Sequence, residues 1–246
     1  MLSARITGIG WVSAQGFGWG GQGGAFALSP GEPPTLSRAE VFDQPDRRFG
    51  RMDAFSRLGL AAVTFALRDA GLEEWREKRP IGLIAATAYG CLATDRDYFA
   101  TVIPDGGALA SPQLFAYTLS NTFLGEAALR FGLSGEALVV SEPPPGGGLA
   151  PLGLALENLA WEPAPAMVAG LCDLAPSEGL PALPGLPPGA IFVVLERVTR
   201  EGSLDYGELR RDDDGLYRLN NAPVADLADL VTRGLARSKG GANLRG

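Results

Sequence analysis

The sequence predicts a layered α/β domain. Short, continuous apolar runs of the kind that form strands buried on both faces alternate along it with segments of helical periodicity. A third observation sets the scale: 246 residues with 46% hydrophobic content are enough for one substantial core, so residues 1–246 are expected to form a single domain.

Residues 6–14, ITGIGWVSA, read as the first strand. Its Gly8-x-Gly10 pair lacks the third glycine and the immediate helix of a dinucleotide-binding turn, Ser13 standing where that glycine belongs. The glycines are therefore expected to let the strand pack closely on a neighbour, and no cofactor is expected. A Gly-rich, helix-poor stretch follows to Gly24, and residues 29–44 read as polar loop. Asp53 is placed to cap a helix over 54–70 that Gly71 closes; its two apolar stripes predict cover on more than one side. The nearby Arg47, Arg48, Arg51 and Arg57 read as a solvated or ion-paired surface, with docking of an acidic partner as the other reading.

Residues 81–88 form the next predicted strand, with Cys91 in the turn after it. Residues 111–132 suggest an extended lead-in and then a helix over 118–131, stopped by Gly132. A strand over 137–141 leads through Pro143, Pro144, Pro145, Gly146, Gly147 and Gly148 into an almost wholly apolar helix from Leu149. Two further strands, 166–171 and 191–198, flank a Pro-rich loop over 173–189. A hairpin over 204–219 turns at Asp212-Asp213-Asp214-Gly215. That acidic run fails as a calcium loop, because its first and twelfth positions would be Arg210 and Asn221. A last helix over 223–236 and a frayed tail over 237–246 complete the chain.

Composition narrows the chemistry. Twenty-one basic against 28 acidic residues, a net charge of −7, offer no footprint for nucleic acid or an anionic membrane. No apolar run approaches a membrane span or a signal peptide, so a cytoplasmic location is the default expectation. Cys91 and Cys172 lack metal-site spacing. The sequence contains no histidine, the commonest general base and metal ligand, and its only lysines are Lys78 and Lys239. With no base in sight, both cysteines read as small core or loop side chains.

A strand feeding a buried helix through a tight turn is a common seat for a nucleophile, because unpaired N–H groups at the helix start favour a thiolate or an oxyanion. Here no side chain from Pro143 to Gly148 can attack anything. The stretch EALVVSEPPPGGGLAPLGLALENLAW, taken with FSRLGLAAVTFALRDAGL, IGLIAATAYG, SPQLFAYTLSNTFLGEAALRFGL, VAGLCD and FVVLERV, resembles the N-terminal half of a β-ketoacyl synthase. The resemblance implies a thiolase-like unit, a mixed five-stranded sheet between helices. In that family the turn holds the reactive cysteine in a pattern like ACSSG. Counting back from the helix puts that position at Pro145; counting forward from the strand puts it at Pro144. Proline supplies neither a thiol nor the main-chain N–H used at the oxyanion hole. The family's two histidines lie in its C-terminal half, which has no counterpart in these residues.

The resemblance therefore implies a non-catalytic subunit, similar to the chain-length factors of type II polyketide systems, particularly the shortened ones of aryl polyene pathways. Such a subunit pairs with an active ketosynthase and meets the acyl carrier protein indirectly. A chain-length factor typically carries Gln or Glu at the cysteine position; Glu142, slightly upstream, is expected to balance helix-terminal N–H groups or to face solvent. Two other readings stay open: a structural or regulatory homodimer, and an acyl-transfer enzyme using Cys91 or Cys172. By the same resemblance Phe115, Tyr117, Leu119 and Phe123 are candidates for acyl-tunnel or interface walls, with ordinary core as the competing assignment. Leu138 and Val140 lie on a strand expected to pair across a two-fold or pseudo-two-fold interface.

Overall fold

The computed structural model describes residues 1–22, 24–144, 146–162, 164–176, 179–185 and 187–242. In chain order the elements are β1 (Leu2–Ser13), β2 (Gly16–Trp19), α1 (Arg38–Val41), α2 (Ala54–Asp69), β3 (Gly82–Thr87), α3 (Leu92–Val102), α4 (Pro112–Phe115) and α5 (Thr122–Phe131). There follow β4 (Ala137–Ser141), α6 (Ala150–Trp161), β5 (Ala166–Asp173), β6 (Gly189–Glu196), β7 (Gly207–Arg211), β8 (Tyr217–Leu219), β9 (Ala222–Pro223) and α7 (Leu227–Ala242).

One mixed sheet runs in the order β4-β3-β5-β6-β1-β7-β8-β9, with β2 paired to β1. Strand β3 is parallel to β4 and β5, whereas β6 is antiparallel to both β5 and β1. The first five strands of that order form the expected five-stranded sheet. The described sheet extends beyond it to nine, because the C-terminal strands β7 to β9 continue from β1 and β2 folds back as a hairpin.

Strand periodicity divides the core into two layers of side chains. On β6, Ala190, Phe192 and Val194 join one cluster with α2 and α5, while Ile191, Val193 and Leu195 join the other with α6 and α7. The sheet is thus covered on both faces, which is why its central strands read as unbroken apolar runs. Helix α2 is buried from Leu58 to Leu67, against the sheet on one side and α5 on another. Asp53 accepts from the Ser56 backbone N–H at 3.0 Å, as a cap should, and Gly71 turns the chain with φ +65.

Gly8 and Gly10 let α2 approach β1. A Cβ at Gly10 would lie 2.2 Å from Ala66 N and 2.5 Å from Ala62 O, both backbone atoms that have no room to retreat. The pair serves close strand-to-helix packing.

Several boundaries differ from the sequence reading. Strand β1 begins at Leu2 rather than near Ile6, because its first residues pair with β7. Helix α5 begins at Thr122, not near residue 118, and the lead-in expected to be extended contains α4. Tight turns occupy the gap: the Thr118 N–H donates to Phe115 O and the Thr122 N–H to Leu119 O. Helix α7 continues through residues expected to fray, as far as Ala242; residues 243–246 lie outside the described residues. No described helix is long and apolar enough to cross a membrane.

Candidate functional site: the turn between β4 and α6

Strand β4 ends at the sheet edge beside the carboxyl end of β3, and the chain then crosses to the start of α6. The Glu142 N–H donates to Thr87 O at 3.0 Å, extending the parallel ladder by one bond. Gly146 N–H reaches Pro143 O and Leu149 N–H reaches Gly146 O, making two successive turns. Gly147 and Gly148 have φ of +67 and +78, a region that costs other residues strain. Gly148 is also bare for space: a Cβ there would stand 2.6 Å from Leu171 and 3.1 Å from Leu227. Pro145, one of the two positions aligned with the family cysteine, lies outside the described residues.

The helix start already has its anion. Glu142 folds back over the turn, and its Oε1 accepts the N–H groups of Leu149 and Ala150, each at 3.2 Å. Of the two expectations for Glu142, balancing helix-terminal donors is the one observed. Gly146 permits it, since a Cβ there would meet Glu142 Oε1 at 2.4 Å. Glu142→Ala should therefore lower unfolding free energy by about 1 to 2 kcal/mol, the usual scale of a lost cap, and Glu142→Gln by less than half of that. Denaturant midpoints of the three proteins would measure it; an unchanged midpoint for the alanine variant would show that the contact stabilises nothing.

Beneath the turn is a cavity of about 270 Å³. Its apolar wall includes Leu28, Ala86, Leu171 and Ala228, and three carboxylates, Glu142, Asp173 and Asp226, also line it. Asp173, at the end of β5, is 1% exposed. Thr87 Oγ1 donates to it at 2.7 Å, and the N–H groups of Ala88 and Tyr89 each donate at 2.9 Å. Burial raises its pKa above the ordinary aspartate value, and those donors hold the rise back. Asp226 accepts from the Asp229 N–H at 2.7 Å at the start of α7. Each carboxylate is thus tied to backbone donors. Asp173 and Tyr89 were not singled out in the sequence; the available signal was a carboxylate closing an otherwise apolar strand.

Both cysteines are free and buried. Cys91 is 4% exposed, with its thiol 3.4 Å from Ser120 Oγ and 3.7 Å from an Asp95 carboxylate oxygen. Burial first, and the negative charge of Asp95 as well, push its pKa up, which disfavours the thiolate at neutral pH. Cys172 is wholly buried in β5, and burial raises its pKa well above the ordinary thiol value. No group of histidine, cysteine and acidic residues suited to a metal occurs among the described residues. In the basic cluster Arg48 pairs with Glu126 at 3.2 Å, while Arg47 and Arg51 are exposed.

The four candidate wall residues separate. Phe123 is fully buried in the core between α2, α5 and the sheet, and Tyr117 is also buried. Phe115 and Leu119 point outward, 61% and 65% exposed. Leu119 shares a surface groove along β4 with Leu138, Val139, Ser120 and Asn121. Strand β4 is the sheet edge, with Leu138 exposed and Val140 half-buried. Leu92, Phe99, Ile103 and Leu109 are exposed on α3 and the segment after it.

A mixed sheet between two helical layers, with a strand-turn-helix at one end of it, defines a thiolase-like unit. The chain belongs to the β-ketoacyl synthase family: residues 34–179 match the family's N-terminal domain. None of the curated proteins matches the sequence. Among solved structures, the ishigamide ketosynthase/chain length factor is similar with a TM-score of 0.67 and 17% identity, over 85% of this chain and 62% of that one. A β-ketoacyl synthase from Burkholderia phymatum gives 0.64 and 20% identity, over 85% and 63%. The complex of the ketosynthase ApeO with its chain length factor ApeC from Xenorhabdus doucetiae gives 0.55 and 15%, over 81% of each chain. At these identities the likeness is one of fold, and the chain spans less than two thirds of the first two structures' own length.

Proposed function

We propose that the chain is a non-catalytic, chain-length-factor-like subunit that pairs with an active ketosynthase in polyketide or fatty acid biosynthesis. One observation carries this reading: where the family keeps its cysteine, this chain has prolines, and its own Glu142 carboxylate takes the helix-terminal N–H groups. A thiolate or an oxyanion arriving there would meet a charge of its own sign and donors already in use. The upward-shifted pKa values of Cys91 and Cys172 support the same conclusion.

Pairing is supported by the surface. An edge strand with unpaired backbone groups, beside exposed Leu119, is an aggregation hazard unless another subunit covers it, and Phe99, Ile103 and Phe115 are large apolar side chains exposed elsewhere on the surface. Solved relatives that include ketosynthases with chain length factors make a ketosynthase the partner of choice, with the acyl carrier protein meeting the pair through that subunit.

The test is reconstitution with acyl and malonyl carrier-protein substrates. The chain alone should show no condensation, and Pro144→Cys or Pro145→Cys should not create any, because a thiol without base and oxyanion donors is incomplete. Native mass spectrometry with a co-expressed ketosynthase should show a one-to-one pair. In that pair, Phe115→Ala or Leu119→Ala should lengthen the products if these side chains wall the acyl path. Condensation by the isolated chain that survives Cys91→Ala and Cys172→Ala would sink the non-catalytic reading. A stable homodimer that ignores the ketosynthase would favour a structural or regulatory homodimer instead.

A further inference from the structure

The turn after β3 holds the loop after β5 at two places. At the loop's start, Asp173 accepts from Thr87 Oγ1 and from the N–H groups of Ala88 and Tyr89. That fixes the backbone from which the Tyr89 side chain departs. Farther along the loop, the Tyr89 hydroxyl donates to Pro181 O at 2.7 Å and accepts from the Leu183 N–H at 2.8 Å. One phenol oxygen therefore uses its donor and one acceptor site on a segment more than ninety residues away in sequence.

The next residues of that segment, Pro184 and Gly185, line the 270 Å³ cavity that Glu142, Pro144 and Gly148 also line. The segment over 181–185 belongs to no helix or strand, so the sheet's ladder does not hold it there. Two of its residues are prolines, which lack an N–H and cannot add backbone donors.

We propose that residues 181–185 are a strap that narrows the mouth of the cavity at the β4–α6 turn, and that the Tyr89 hydroxyl is its latch. With the latch made, Pro184 and Gly185 stay in the cavity wall and leave it only partly open. With it broken, the strap swings away and the cavity opens fully to small molecules from solvent. The three carboxylates bias what enters toward neutral or cationic molecules. The proposal is independent of pairing with a ketosynthase, since every group in it belongs to this chain.

The experiment uses the full chain with a reporter thiol, Pro144→Cys, on the cavity wall. Its alkylation by uncharged iodoacetamide is followed by peptide mass mapping, with the two buried native cysteines as internal controls. The same rate is then measured with Tyr89→Phe added, a change that removes only the hydroxyl. Loss of two hydrogen bonds should raise the open fraction, and hence the labelling rate, roughly tenfold. Hydrogen exchange of the Leu183 amide, measured without the reporter, should accelerate by a similar factor while amides of β5 and β6 stay protected. That second measurement stands even if Pro144→Cys fails to fold. Equal labelling rates with and without the hydroxyl would overturn the gate, whatever Leu183 does. So would an unchanged Leu183 amide, or acceleration spread through β5 and β6.

Discussion

Phe123→Ala is expected to destabilise the domain by about 3 to 5 kcal/mol, a large share of the roughly 5 to 15 kcal/mol that holds a typical domain together. Phe123 is fully buried, with its ring edge-on to Phe55 at 5.5 Å and to Phe192 at 6.0 Å between centroids. It also packs onto Gly59 of α2, where an added Cβ would meet the ring at 2.6 Å. Removing the ring would leave a hole between α5, α2 and the sheet that a glycine backbone cannot fill. Denaturant unfolding followed by circular dichroism measures the effect. A loss below about 1 kcal/mol would mean that the site collapses freely and the ring is not what joins the two helices to the sheet. Any change in product length caused by this substitution would have to be separated from unfolding first.

Leu138→Asp should do the opposite, sparing the chain and breaking the complex. Leu138 is 37% exposed on the outermost strand, so an aspartate there stays hydrated in the isolated chain and should change its stability by no more than about 0.5 kcal/mol. Across a subunit interface the same carboxylate would be buried without a partner. A penalty of about 3 kcal/mol or more corresponds to a loss of more than a hundredfold in affinity. A thermal melt of the chain alone, set beside titration against the partner ketosynthase, separates the two effects. Unchanged affinity in a well-folded variant would place the interface elsewhere and remove β4 from the pairing proposal.

Much of the fold was legible because its signals are local. Strands β3, β5 and β6 are buried on both faces, so each reads as an apolar run, and α2 and α6 carry apolar residues around most of their circumference. Strand β2 was missed, since its four residues, Gly16 to Trp19, are extended through their pairing with β1. Helix α3 escaped for a different reason. Its large apolar side chains Leu92 and Phe99 face outward while Thr94 is buried, which erases the usual apolar stripe. Helix α5 starts later than expected because Thr118, Ser120 and Asn121 favour turns and caps over a helix interior, and the Ser120 hydroxyl accepts from the Cys91 backbone N–H at 3.3 Å.

By itself the sequence determined that prolines occupy both positions the resemblance aligns with the family's cysteine, and that Glu142 stands just ahead of that turn. Those are properties of residue identity and spacing, and no arrangement of the chain alters them. Only the tertiary structure decided which oxygen of Glu142 meets which N–H, that Phe123 is core while Phe115 and Leu119 face outward, and that Tyr89 reaches the loop beyond β5. The Glu142 contacts depend on how one turn folds back, whereas the Phe123 core and the Tyr89 contacts join segments brought together by strand order. The order β4-β3-β5-β6-β1 is set by which apolar faces bury one another across the whole sheet, and no local stretch encodes that choice.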